Sequence, residues 1–102
     1  MDQRLKIQKA LEDILGTSEN VHYQPPQNIH LQYPAIIYSL SEIDTKFADN
    51  EPYSLTKQYV VTAITRDPDS DLPIKLASQR RTRFGRSYVV DNLYHHIFYM
   101  YF

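Results

Sequence analysis

Ala35-Ile-Ile-Tyr-Ser-Leu-Ser-Glu-Ile-Asp-Thr-Lys46 and Tyr53-Ser-Leu-Thr-Lys-Gln-Tyr-Val-Val-Thr-Ala-Ile-Thr-Arg66 decide the fold. Both runs are dense in β-branched and aromatic residues and contain no Gly or Pro, which suits a pleated, half-buried surface. In the second, Tyr59, Val61 and Ala63 fall on one face and Val60, Thr62 and Ile64 on the other. The intervening Phe47-Ala-Asp-Asn-Glu-Pro52 reads as a turn or loop, so the two runs pair as an antiparallel hairpin. Strands of about a dozen residues reach about 40 Å, whereas a compact domain of this size has a radius of gyration of about 13 Å. Residues 40–58 are therefore expected to overhang the body as an arm. Its distal half, Glu42 to Lys46 facing Tyr53 to Lys57, has too few large apolar residues for a core of its own. A lone two-stranded arm is marginal in water, so a partner is expected to order it.

Outward from the hairpin, residues 2–15 read as a helix. Ile7, Leu11, Ile14 and Leu15 form one stripe with Ala10 at its edge, Asp2 can cap the start, and Gly16 stands where a left-handed C-cap residue belongs. Val21 to Gln24 fits a short strand stopped by Pro25-Pro26, with a polar loop from there to Tyr33. After the second long strand, Asp67-Pro-Asp-Ser-Asp71 breaks the chain and offers caps to a short helix over about Leu72 to Gln79, with Pro73 tolerated in its first turn. The last strand starts near Leu93. Its ending, Ile97-Phe-Tyr-Met-Tyr-Phe102, is apolar on both faces, Ile97, Tyr99 and Tyr101 on one and Phe98, Met100 and Phe102 on the other. Such a strand has to be central in a sheet or covered by another subunit. The expected fold is α+β, one domain over 1–102, with a mixed, mainly antiparallel sheet, the protruding hairpin, an N-terminal helix and a second short helix.

Composition narrows the function. With 102 residues, 42% hydrophobic and 23% charged, the chain reads as globular. A net charge of -1 removes the general electrostatic case for nucleic acid or anionic lipid. The absence of Cys excludes disulfides and thiolate metal sites, and no apolar run approaches the roughly 18 residues of a membrane span, so a soluble protein is expected. Nine Tyr and no Trp point mildly to association, because Tyr suits surfaces apolar at one end and wet at the other.

Chemical motifs fail one by one. Asp67, Asp69 and Asp71 mimic the opening of a calcium loop, but Leu72 stands where the sharp turn needs Gly and Ser78 where the bidentate Glu belongs. A β-to-α turn with a helix cap explains the three acids better. His95 and His96 are adjacent on a strand and point to opposite faces, so they cannot share a metal. No nucleophile elbow, phosphate loop or dinucleotide fingerprint is present, and no cofactor or enzymatic activity is expected.

The strongest local charge feature is Arg80-Arg81-Thr-Arg83-Phe-Gly-Arg86. Beside Phe84 and Tyr88 it could hold nucleic acid, stay solvated, or meet an acidic strip on a neighbouring copy. Acidic strips exist: Asp44, Asp49 and Glu51 toward the hairpin tip, and Asp67, Asp69 and Asp71 after the second strand. The candidate interface residues are accordingly Asp44, Asp49, Glu51, Tyr53, Asp67, Asp69, Arg80, Arg81, Arg83 and Arg86.

Tyr33-Pro-Ala-Ile-Ile-Tyr38, the Tyr53 to Thr65 strand running into Asp67-Pro-Asp-Ser70, and Asp91-Asn-Leu-Tyr-His95 before an aromatic strand together resemble the tail terminator, or tail-to-head joining, proteins of long-tailed bacteriophages. The resemblance follows the element order along most of the chain. It implies a homohexameric ring that caps the tail tube, stops its growth and joins it to a head-completion protein of the neck. On that reading the protein assembles in the host cytoplasm and resides in the virion, DNA only passes through the ring, and no membrane is involved. The chain is short for such proteins, and head-closure and minor capsid proteins of the same neck share their size and ring symmetry. A small nucleic-acid-binding module using Arg80, Arg81, Arg83 and Arg86 is the reading from another class. The family supplies no catalytic residues to carry over.

Overall fold

In the computed structural model the described residues are 3–16, 20–23, 32–48 and 51–101, with side chains described for all of them except 3, 44–48 and 51–55. Helix α1 is Gln3–Leu15, followed by β1 (Val21–Tyr23), β2 (Ala35–Ala48), β3 (Glu51–Thr65), α2 (Leu72–Ala77), β4 (Thr82–Val90) and β5 (Leu93–Tyr101). The five strands form one sheet in the order β1-β2-β3-β5-β4, with β1 parallel to β2 and every other pair antiparallel. The fold is α+β, as the residue pattern implies.

Strand register explains where the core lies. Val61 pairs with Tyr38 and Phe98, and Tyr59 with Leu40 and Met100, so their side chains share one face of the sheet. Ile7 and Leu11 of α1 and Leu72 and Leu76 of α2 close over that face, burying Ile36, Tyr38, Tyr59, Val61, Phe98 and Met100. Both helices thus cover the same side. Ile14 and Leu15 pack at its margin, as the stripe on α1 requires. Three tyrosines belong to this core: Tyr23 and Tyr59 flank Tyr38 at ring distances of 5.1 and 6.1 Å. The Tyr38 hydroxyl donates to Gln8 Oε1. Burial holds its phenol above the ordinary value, with Arg4 pulling the other way.

Element ends follow local chemistry. Gly16 adopts φ +91° and its N–H donates to the Glu12 carbonyl at 2.8 Å, ending α1 as expected. Capping of α2 departs from expectation. Asp71 makes no capping bond with its side chain, which lies 3.5 Å from Lys75 Nζ instead. Ser70 Oγ accepts the Leu72 N–H at 3.2 Å in its place. Asp67 Oδ1 accepts the Asp69 N–H at 2.9 Å, so the acid triplet is built into the β-to-α turn. The expected cap at Asp2, the loop over 24–31 and the side chain of Phe102 lie outside the described residues.

Two strand assignments differ from the sequence reading. β2 and β3 run almost to the hairpin tip, pairing Phe47 with Pro52 and Ala48 with Glu51 after an irregularity at Lys46, so these residues extend the strands and do not form a turn. The Arg80 to Arg86 stretch is largely strand β4, which turns through Asp91 (φ 54°) and Asn92 (φ 62°) into β5. Two consecutive left-handed residues give the twist a two-residue hairpin loop demands. As a result β5 lies between β3 and β4, and the aromatic ending is interior to the sheet.

The hairpin overhangs the body. β1 covers only Ile36–Tyr38 of β2, and β5 reaches no further along β3 than Gln58. Beyond the bulge at Leu40/Glu42, the pairs from Glu42–Gln58 to Ala48–Glu51 are two-stranded. The molecule measures 51 × 23 × 23 Å along its principal axes, with a Cα radius of gyration of 14.8 Å.

Candidate assembly surface

The helices leave the second face of the sheet uncovered among the described residues. Register places Ile37, Val60, Thr62, Ile97 and Tyr99 there, half-buried and lying side by side across β2, β3 and β5. Edge strand β4 continues the face with Arg83, Arg86, Tyr88 and Val90, the last two 37% and 48% exposed. The chemistry of this border is regular. Arg83 lies over the Tyr99 ring at 4.6 Å, Arg86 over Tyr88 at 5.3 Å, and Tyr88 stacks on His95 at 4.7 Å with planes 8° apart. A guanidinium held flat on an aromatic ring keeps its N–H edge free for a carboxylate. Neither Arg83 nor Arg86 has a carboxylate partner among the described residues.

Gly85 makes the arrangement possible. It is the extra residue of a bulge between Phe84–Phe98 and Arg86–Ile97, and a Cβ there would stand 2.8 Å from Tyr99 Cε2 and 3.0 Å from the Ile97 carbonyl oxygen. The bare backbone is what lets the Tyr99 ring lie under Arg83.

The remaining sequence-derived residues divide by location. Arg80 and Arg81 occupy the turn before β4; Arg81 takes φ 59° and its carbonyl accepts the Tyr101 N–H at 3.0 Å. Asp67 and Asp69 follow Thr65, which pairs with Tyr94, whereas Thr82 pairs with Met100. Six residues of strand, about 20 Å, separate these levels, so Asp67 and Asp69 lie near the opposite end of the sheet from Arg80 to Arg83. Asp44, Glu51 and Tyr53 lie on the arm by backbone register, but their side chains, and Asp49 entirely, fall outside the described residues. The structure therefore gathers Arg83 and Arg86 into one surface, adds Tyr88, Tyr99 and Gly85, and does not bring Asp67 or Asp69 to them. The alternation of β5 was the signal for Tyr99. Gly85 carried none without knowing that β4 is a strand.

Catalytic chemistry finds little to stand on. Ser87 Oγ lies 2.7 Å from His96 Nδ1, a nucleophile-and-base distance, but no acid orients the ring among the described residues. Burial, and then the neighbouring His95, hold His96 below the ordinary imidazole value. No group of three or more His, Cys, Asp or Glu among the described residues is placed to hold a metal. The hollow between the helices is lined by Asp13, Ile14, Asp71, Ile74, Lys75 and Ser78; Lys75 pairs with Asp71 and the Ser78 hydroxyl donates to the Ile74 carbonyl, so neither is joined to a base in a catalytic arrangement. No helix among the described residues is long and apolar enough to cross a membrane.

No protein-family model matches this chain, and no curated protein sequence matches it.

Proposed function

We propose that this chain is the tail terminator of a long-tailed bacteriophage, a structural subunit that closes into a homohexameric ring, caps the tail tube and joins it to a head-completion protein of the neck. It acts by geometry, with no cofactor and no catalysis, in the virion after assembly in the host cytoplasm. The observation that carries the reading is the arm: beyond Gln58 the hairpin pairs only with itself among the described residues, and the molecule is 51 Å long but 23 Å across. A two-stranded ribbon is marginal alone, so a projecting one makes sense when an assembly supplies its missing neighbours. Ring closure also needs two unlike, complementary patches on each subunit. An arm with four acids in its sequence and a strip whose Arg83 and Arg86 have no carboxylate partner among the described residues meet that need.

The test adds the purified protein to tail tubes growing in vitro. Tubes should stop at shorter, narrower length distributions, and electron microscopy should show one ring at a tube end. Unchanged growth with no end-bound density would refute the reading. One feature favours a second reading: Arg83 and Arg86 lie over Tyr99 and Tyr88, with Arg80 and Arg81 just before them in sequence, and cations beside aromatic rings suit a single-stranded nucleic acid. A monomer that binds oligonucleotide with a steep salt slope would establish that alternative.

A further inference from the structure

We propose that the Arg83/Arg86 border of the open sheet face, together with the outer edge of β4, is the dock for the hairpin arm of a second copy of this chain. The inference rests on the ring reading above for its biological setting, but its evidence is local. Charge is the first argument. Residues 80–90 hold four arginines and no acid, whereas residues 42–57 of the arm hold four acids and two lysines. The guanidiniums of Arg83 and Arg86 are already held over Tyr99 and Tyr88, at 4.6 and 5.3 Å, so less side-chain freedom remains to be lost when carboxylates arrive.

Backbone pairing is the second. β4 is an edge strand of nine residues, about 30 Å long, with its outer N–H and C=O groups unmatched by any strand of the sheet. Long edge strands invite pairing with another chain. The arm brings its own unpaired edge, residues 51–57 of β3, which lie beyond the reach of β5. Seven residues span about 23 Å and fit within β4. Adding the arm gives it a third strand, which is the number at which such ribbons hold together.

Topology then excludes the chain's own arm. β3 and β5 separate the arm's β2 strand from β4, and the arm runs out past the level of Tyr101 along the long axis of the molecule. It cannot fold back onto β4 without breaking the β3–β5 ladder. A second copy is the occupant that satisfies charge, edge and geometry together.

The chain has no Cys, so cross-linking can be directed. Copies carrying only Ser54→Cys are mixed with copies carrying only Val90→Cys and treated with a short bismaleimide, across a range of protein and salt concentrations. The expected result is a covalent pair, and a mixture of Ser54→Cys with Lys9→Cys, on the exposed face of α1, should give little. Adding Arg83→Glu and Arg86→Glu to the Val90→Cys copy should cut the yield about tenfold or more, because like charges now oppose each other. Asp44→Lys with Glu51→Lys on the Ser54→Cys copy should restore part of it. Closed rings without the Ser54–Val90 link would overturn the dock and leave the ring reading intact. The link in open chains or simple dimers would support the dock and count against the ring. A monomer with no link, or one whose arginine strip is instead protected by an oligonucleotide, would overturn the dock.

Discussion

Met100 and Tyr99 are consecutive in β5 and face opposite sides of the sheet, so replacing each by Ala asks which side is the core. Met100 is 2% exposed and lies in the cluster closed by α1 and α2. Its truncation leaves a cavity in a packed interior, for which Met→Ala costs about 2–5 kcal/mol. For a domain of about this size each kcal/mol lowers Tm by about 4–8 °C, so a fall of about 8–40 °C is expected. Tyr99 is half-buried on the open face, where its ring contacts solvent, Gly85 and Arg83. Its removal forfeits a cation–π contact of about 0.5–1 kcal/mol and a partial share of burial. The Met100 variant should lose at least twice the stability of the Tyr99 variant. Urea unfolding followed by circular dichroism measures both, at low concentration so that association adds nothing. Equal losses in the monomer would refute the one-sided core, and with it the argument that the open face awaits a partner.

Three further outcomes follow from the same geometry. Replacing residues 48–52 with an Asn-Gly turn should leave Tm within a few degrees, because the distal arm pairs only with itself, while ring or tail assembly drops sharply; thermal melts and electron microscopy check the two halves. Gly85→Ala should destabilise by about 1–3 kcal/mol and displace the Tyr99 ring from under Arg83, seen as a changed Tyr99 ring environment in NMR spectra, since the new Cβ meets Tyr99 and the Ile97 carbonyl. His96, held low by burial, contributes stability that is fully present above the unfolded value of about 6.5 and is lost as pH falls through the folded value. His96→Gln should therefore flatten the fall in urea midpoint on the acid side of about 6.5, and an unchanged pH profile would show that His96 is not the group responsible.

The hairpin and the helix stripe were legible because each rests on a short-range signal: period-two alternation through Tyr59 to Ile64, and an apolar stripe from Ile7 to Leu15 ended by a glycine with positive φ. Strand β4 was not. Its first half, Thr82-Arg-Phe-Gly-Arg86, carries charge and a glycine at positions where a central strand would carry Val or Ile. An edge strand has only one hydrogen-bonded neighbour, so charge and a bulge are permitted there and even protect it from indiscriminate pairing. The usable signal stood five residues later, where Asp91-Asn92 sits between Val89-Val90 and Leu93, a two-residue loop between apolar flanks. The parallel pairing of β1 with β2 had no local signal at all, since its three residues meet partners fifteen positions further along the chain.

The split of the tyrosines shows why composition alone misleads about association. Tyr38 and Tyr59 are spent on the helix side, packed in the core with the Tyr38 hydroxyl donating to Gln8, and they tell nothing about partners. Tyr88 and Tyr99 do bear on the question, and only because register sets them on the face opposite α1 and α2. On that face a central strand must still be apolar on both sides, so Ile97 and Tyr99 are the consequence of placing β5 between β3 and β4. A sheet with helices on one side cannot cover them itself. The arginines laid over Tyr88 and Tyr99 keep the face in water, and in the proposed dock they are the groups whose charge an acidic arm would neutralise.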